Sequence, residues 1–175
     1  MKILAISGSL RAASHNTAVL LAAKRLAPSG VIVELFDGIG KLPFFNSDLE
    51  AEQLPEEVAS FRRTIGAANG LLISSPEYAR GVSGVMKNAL DWLVGSGEFP
   101  GKPVALINTS PRAVHALAAL TLTLETMSSE IVRDACITLP LLGTANDVES
   151  IAANPELAEP LRHAIAKFVS AIADR

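Results

Sequence analysis

Two stretches of this chain carry side chains whose types and spacing suit the binding of an anion and a flat heterocycle. The first reads Gly8-Ser9-Leu10-Arg11-Ala12-Ala13-Ser14-His15-Asn16-Thr17 and lies between a short apolar run and a helical pattern. Such a junction leaves unpaired N–H groups at the positive end of a helix macrodipole. Ser9, Ser14, Asn16 and Thr17 add neutral donors there, and Arg11 adds a forked cation. Together these suit a terminal phosphate. Each has a plainer role as well: Ser14 or Asn16 caps the helix, and Arg11 is a solvated loop residue. The second stretch, Ser74-Ser75-Pro76-Glu77-Tyr78-Ala79-Arg80-Gly81-Val82-Ser83-Gly84, holds the chain's single tyrosine. Its glycines let backbone approach a ligand closely, and backbone N–H and C=O groups there can pair with the edge of a heterocycle. The competing role is a turn followed by a helix cap at Ser83.

Other chemistries are excluded by what is missing. The chain has no Gly-x-Gly-x-x-Gly after a strand, no Gly-x-x-x-x-Gly-Lys-Ser/Thr and no Gly-x-Ser-x-Gly. A nucleoside triphosphatase, a dinucleotide-type dehydrogenase and an α/β-hydrolase are therefore not expected. No histidine pair has metal-ligand spacing. His15 shares the first loop, but its neighbours account for phosphate binding without it. His115 reads as packed on an apolar helix, His163 as solvated, and Cys136 as a small buried hydrophobe. Lys87 and Asp91 read as surface or interface charges, and Trp92 as packing at a helix base or a subunit contact.

The elements that must hold these loops alternate along the chain. Lys2–Ser7 is an apolar run suited to a strand buried on both faces. A helical stripe follows at Val19, Ala22, Ala23 and Leu26 and is stopped by Pro28-Ser29-Gly30. Residues 31–36 form a second, β-branched strand. A long connection, 37–54, is of a length often given to function. Pro55-Glu56-Glu57 opens a helix striped by Val58, Phe61 and Ile65, and 71–73 is a third buried strand. Another helix carries Val82, Val85, Met86, Ala89, Leu90 and Leu93. Pro103–Asn108 is a fourth strand, 113–128 a helix apolar nearly all round, and 131–139 a fifth strand. The last helix lies within Pro155–Ala173, where Pro160 offers a second possible start. Strands and helices in alternation predict an α/β fold with a parallel sheet covered on both faces, right-handed crossovers and strand order 2-1-3-4-5. Ligands then sit beyond the carboxyl ends of strands one, three and four.

Composition agrees. The 175 residues are 49% hydrophobic and 19% charged, with a formal charge of −3. That is one globular domain, 1–175, with no electrostatic case for nucleic acid. One cysteine points to a reducing, cytoplasmic setting. The four-residue apolar run after Met1-Lys2 is too short for a signal peptide, and no stretch is long enough to span a membrane.

Two longer motifs are more specific. Gly8-Ser9-Leu10-Arg11-x-x-Ser14-x-Asn16, with Pro76-Glu77-Tyr78-x-x-Gly81-x-x-Gly84-x-x-Lys87-Asn88-Ala89-Leu90-Asp91-Trp92, resembles the NADPH-dependent FMN reductase family, which includes quinone, azo-dye and chromate reductases. The segment Leu42-Pro43-Phe44-Phe45-Asn46-Ser47-Asp48-Leu49 is similar to the family's stretch before its second helix. The resemblance implies a flavodoxin-like three-layer sandwich. It implies that Ser9, Arg11, Ser14, Asn16 and Thr17 hold the FMN 5′-phosphate, and that Pro76, Glu77, Tyr78, Ala79 and Gly81 line the isoalloxazine. It implies hydride transfer from NADPH through FMN to a small-molecule acceptor in a ping-pong cycle, with no indispensable catalytic side chain, and a homodimer or homotetramer. The chain departs from the family at Ala79, where asparagine is usual, and at Asn108-Thr109-Ser110-Pro111-Arg112, where a glycine-rich loop is usual. Thr109 and Ser110 are then the expected donors to the flavin pyrimidine ring, and Arg80 and Arg112 the expected cations for the NADPH phosphates. A flavodoxin-type carrier and a non-enzymatic flavin-binding module are the alternatives.

Overall fold

The computed structural model describes residues 1–141 and 147–175. Strand β1 (Lys2–Ser7) pairs in parallel with β2 (Ile32–Leu35) on one side and β3 (Gly70–Ser74) on the other. β3 pairs with β6 (Pro103–Asn108), and β6 pairs with β7 (Glu130–Ile131). The order β2-β1-β3-β6-β7 is the expected 2-1-3-4-5 arrangement. A separate hairpin of β4 (Glu77–Tyr78) and β5 (Gly81–Val82) follows β3.

The pleat divides the core. Leu4, Ile6, Leu71, Ile73, Val104 and Leu106 face α3 (Glu56–Ala67), α4 (Gly84–Val94) and α5 (Val114–Thr126). Ile3, Ala5, Leu72, Ala105 and Ile107 face the opposite side, with α1 (His15–Leu26), α6 (Val148–Ala153) and α7 (Pro155–Ala173). Central strands buried on both faces explain their nearly continuous apolar sequence.

The fifth strand departs from expectation. Instead of one run over 131–139, β7 and β8 (Ile137–Thr138) each pair with β6, separated by a 3₁₀ turn at Arg133–Ala135. Cys136 Sγ fills part of the gap by accepting the Leu106 N–H at 3.3 Å. The thiol is therefore half-buried, and burial pushes its pKa up. α7 begins at Pro155 and runs through Pro160, because Asn154 Oδ1 accepts the Glu156 N–H at 3.0 Å and sets the start there.

The long connection is partly helical, with α2 at Ser47–Glu52. It is pinned to α4. Pro43 O accepts from Trp92 Nε1 at 2.8 Å and from Asn88 Nδ2 at 2.9 Å, while the Phe45 N–H donates to Asn88 Oδ1. Trp92 is fully buried, with the Phe45 ring edge-on at 5.0 Å. Lys87 pairs with Asp91 on the surface of α4. His115 is exposed on α5, contrary to the packed reading, and His163 is exposed as expected. The outward positions of α5 lie uncovered, Leu122 most of all. Among the described residues no helix is long and apolar enough to cross a membrane.

Candidate active site

Three loops converge at the carboxyl edge of the sheet, after β1, β3 and β6. They bound an open cleft of about 290 Å³. The β1 loop is placed by Gly8, whose N–H donates to Ser74 O at 2.8 Å. The chain then runs over Ser9, whose N–H reaches Ser7 Oγ and whose Oγ accepts from the Arg11 N–H. Ser14 is the N-cap of α1, its hydroxyl accepting the Thr17 N–H at 3.3 Å. Among the described residues the N–H groups of His15 and Asn16, in the same first turn, have no hydrogen-bond acceptor. These are the free donors of the helix N-terminus, and both residues line the cleft.

Asn16 joins all three loops. It is buried, and its Oδ1 accepts from Ser74 Oγ at 2.9 Å and from Thr109 Oγ1 at 3.3 Å. With the carbonyl side of the amide used, its NH₂ is the group left for a ligand. Thr109, one of the two expected donors, is engaged within the protein here. Its hydroxyl proton goes to Asn16, and Thr109 is itself buried. Ser110 Oγ accepts from the Arg112 N–H, and among the described residues its own proton has no acceptor. The loop Ser110–Ala113 closes as a β-turn, with the Ala113 N–H on Ser110 O at 3.0 Å and Pro111 at its second position. Proline is favoured at that turn position, which is how this loop dispenses with glycines.

The β3 loop supplies the other wall. Glu77 pairs with Val82 and Tyr78 with Gly81, leaving Ala79 and Arg80 as a two-residue turn. Both have positive φ, 49° and 60°, as in a type I′ turn. Alanine pays a steric cost of roughly 1 kcal/mol there that asparagine or glycine largely avoids. Ala79→Asn should therefore raise the melting temperature by about 2–4 °C while leaving ligand affinity intact; thermal denaturation followed by circular dichroism checks it.

Ser9, Arg11, Ser14, Asn16, Pro76, Glu77, Tyr78, Thr109, Ser110 and Arg112 all line the cleft. Thr17 stands behind it, its hydroxyl 2.8 Å from Ser7 Oγ. Ala79 and Arg80 occupy the exposed tip of the hairpin, beside the cleft, with the half-buried Gly81 next to them. His15, Ser75, Asn108 and Ala113 line it too, without having been singled out as ligand residues by the sequence. Asn108 had a local cue: its Oδ1 accepts the Ser110 N–H two residues on, an Asx turn. Arg11, Arg80 and Arg112 make no ion pair among the described residues, whereas the other six of the nine arginines do. Nor is there, among those residues, a cluster of His, Cys, Asp or Glu fit to hold a metal ion.

Comparison with known proteins fits this geometry. The chain is 45% identical over 112 residues to an NAD(P)H-dependent FMN reductase of Pseudomonas aeruginosa, covering 63% of this chain and 60% of that protein. It is 42% identical over 122 residues to a 2-hydroxy-1,4-benzoquinone reductase of a Burkholderia species, covering 68% and 66%. The matches thus span somewhat less than two thirds of the length of these relatives. Among solved structures, the NAD(P)H:acceptor oxidoreductase FerB of Paracoccus denitrificans superposes with a TM-score of 0.79 at 28% identity, over 99% of this chain and 97% of that one. The azoreductase AzrA, at 17% identity and a TM-score of 0.57, shares the fold. The sequence profile of the NADPH-dependent FMN reductases matches residues 1–136, a span that contains all three loops of the cleft. The chain belongs to that family.

Proposed function

We propose that this protein is an NAD(P)H-dependent FMN reductase that passes reducing equivalents to a small acceptor of the quinone, flavin or azo class. The observation that carries the reading is the set of open donors at the start of α1, facing a backbone hairpin across a cleft. The residues present suit FMN. The His15 and Asn16 N–H groups, the Asn16 amide and the Arg11 guanidinium offer the converging charge and donors that a phosphate needs. When bound, FMN accepts hydride from a nicotinamide and delivers it to the acceptor, chemistry that belongs to the cofactor. The chain's part is to bind, orient and limit access. Ser110 Oγ, whose proton has no acceptor among the described residues, would provide a donor for the negative charge of a reduced ring. Tyr78, about half exposed, offers a ring face at the entrance.

Anaerobic titration of the FMN-reconstituted protein with NADPH, followed by visible absorbance, tests the reading. Rapid, saturable bleaching, well above that of free FMN, is expected. Bound flavin that stays oxidised overturns the reductase reading in favour of an electron carrier.

Arg80 and Arg112, exposed and without ion pairs, are the cations proposed to meet the NADPH phosphates. Arg80→Glu/Arg112→Glu should raise the KM for NADPH about fivefold to twentyfold at low ionic strength, with the gap narrowing as salt screens it. Steady-state kinetics at two salt concentrations check this, and an unchanged KM removes the assignment. We also infer a homodimer or homotetramer, supported by the uncovered Phe44, Val94, Val114 and Leu122 side chains, and a cytoplasmic setting, in keeping with the lone half-buried thiol. Light scattering on the eluting protein reads the oligomeric state.

A further inference from the structure

Glu77 lies in the cleft wall, yet one of its carboxylate oxygens is turned away to another element. Oε2 accepts the Ala116 N–H at 2.9 Å, 39 residues along the chain. Ala116 is the third residue of α5, one of the positions whose N–H has no partner within a helix. The helix cannot serve itself: its N-cap is Ala113, which has no acceptor, and its first turn holds no acid. An anionic oxygen at that place is favoured by both the hydrogen bond and the helix dipole. Glu77 also pairs with Val82 in the hairpin, and Ala113 closes the turn that carries Ser110 and Arg112. One side chain thus fastens the β3 wall of the cleft to the β6 wall.

We propose that Glu77 is a positioning residue for the flavin edge, acting through α5 and the two loops it joins and not through contact with the ring. The inference rests on the FMN reading above and goes beyond it in giving this carboxylate a task away from the ligand. It separates two substitutions that a ring-contacting carboxylate would not. Glu77→Gln keeps an oxygen acceptor for the Ala116 N–H. Glu77→Ala leaves that N–H and the hairpin unjoined.

The test measures FMN dissociation constants and bound-flavin spectra for the parent and both variants, with amide exchange of residues 113–118 in the flavin-free proteins. Glu77→Ala should weaken FMN about tenfold, the scale of one lost hydrogen bond, broaden the flavin spectrum and lose amide protection at Ala116. Glu77→Gln should stay within about threefold of the parent and keep that protection. A glutamine variant as weak as the alanine variant, with protection intact, overturns the proposal and makes the carboxylate a ligand contact. An alanine variant unchanged in affinity and protection overturns it as well. A parent that holds no FMN refutes the reductase reading and the flavin role together, and is told apart from a failed clamp because the exchange data alone decide whether Glu77 fixes α5.

Discussion

Asn16→Asp should keep the fold and lose the ligand. Aspartate matches asparagine in shape and still accepts from Ser74 Oγ and Thr109 Oγ1, so the junction of the three loops survives. The helix N-terminus even favours the added charge. What changes is the side facing the cleft: the NH₂ donor is gone, and an anion stands where a phosphate is to bind. Loss of a hydrogen bond to a charged group, roughly 1.5–3 kcal/mol, adds to like-charge repulsion. FMN affinity should fall about a hundredfold or more, with the melting temperature near that of the parent. Asn16→Ala makes the opposite division. It leaves two buried hydroxyls without their acceptor, on Ser74 and Thr109, at about 1–3 kcal/mol each, so stability falls with affinity. Isothermal titration with FMN and thermal denaturation of both variants check the pair. An aspartate variant that binds FMN as well as the parent would show that the Asn16 amide does not face the phosphate.

The same residue marks what the sequence could and could not disclose. Asn16 stood out by type and place, in a polar loop between a buried strand and a helix. Its partners lie 58 and 93 residues away, and no local pattern announces a bond that only the sheet brings about. The Glu77 bond to Ala116 is hidden for the same reason, as is the bond from Thr109 Oγ1 to Asn16. Strand order was legible because apolar runs and helical stripes alternate with clear breaks. The broken fifth strand was not, because Ile131, Val132, Ile137 and Thr138 read as one β-branched run, and only Arg133-Asp134 hints at the turn between. α2 was missed because its sequence, SDLEAE, buries no residue, and so has no stripe to read. Ala79 was recognised as a departure from the family; its positive φ is one that asparagine adopts more readily than alanine.

Gly8→Ala should cost both stability and ligand, and a second change should restore much of the loss. Gly8 is fully packed where β1 meets the β3 loop. A Cβ added there would overlap Ser75 Oγ and stand 2.8 Å from Ser75 Cβ and 2.9 Å from Ser83 Oγ. A hydroxyl can rotate away, but Ser75 Cβ moves only with its backbone, and Pro76 follows directly. The adjacent Gly8 N–H to Ser74 O bond resists that movement. Overpacking of this kind costs about 1–3 kcal/mol, and displacing Ser75 shifts the hairpin that forms a wall of the cleft. The expected result is a clear fall in melting temperature and FMN binding weaker by about tenfold or more. Gly8→Ala/Ser75→Gly removes both Ser75 atoms from the clash and leaves only the rotatable Ser83 hydroxyl. It should recover most of the affinity, while the new glycine keeps roughly 0.5–1 kcal/mol of the stability loss. Urea unfolding and FMN titration of the single and double variants check this. A double variant no better than Gly8→Ala would mean that the close approach of β1 to Ser75 does not set the hairpin, and that the clash is relieved elsewhere along the loop.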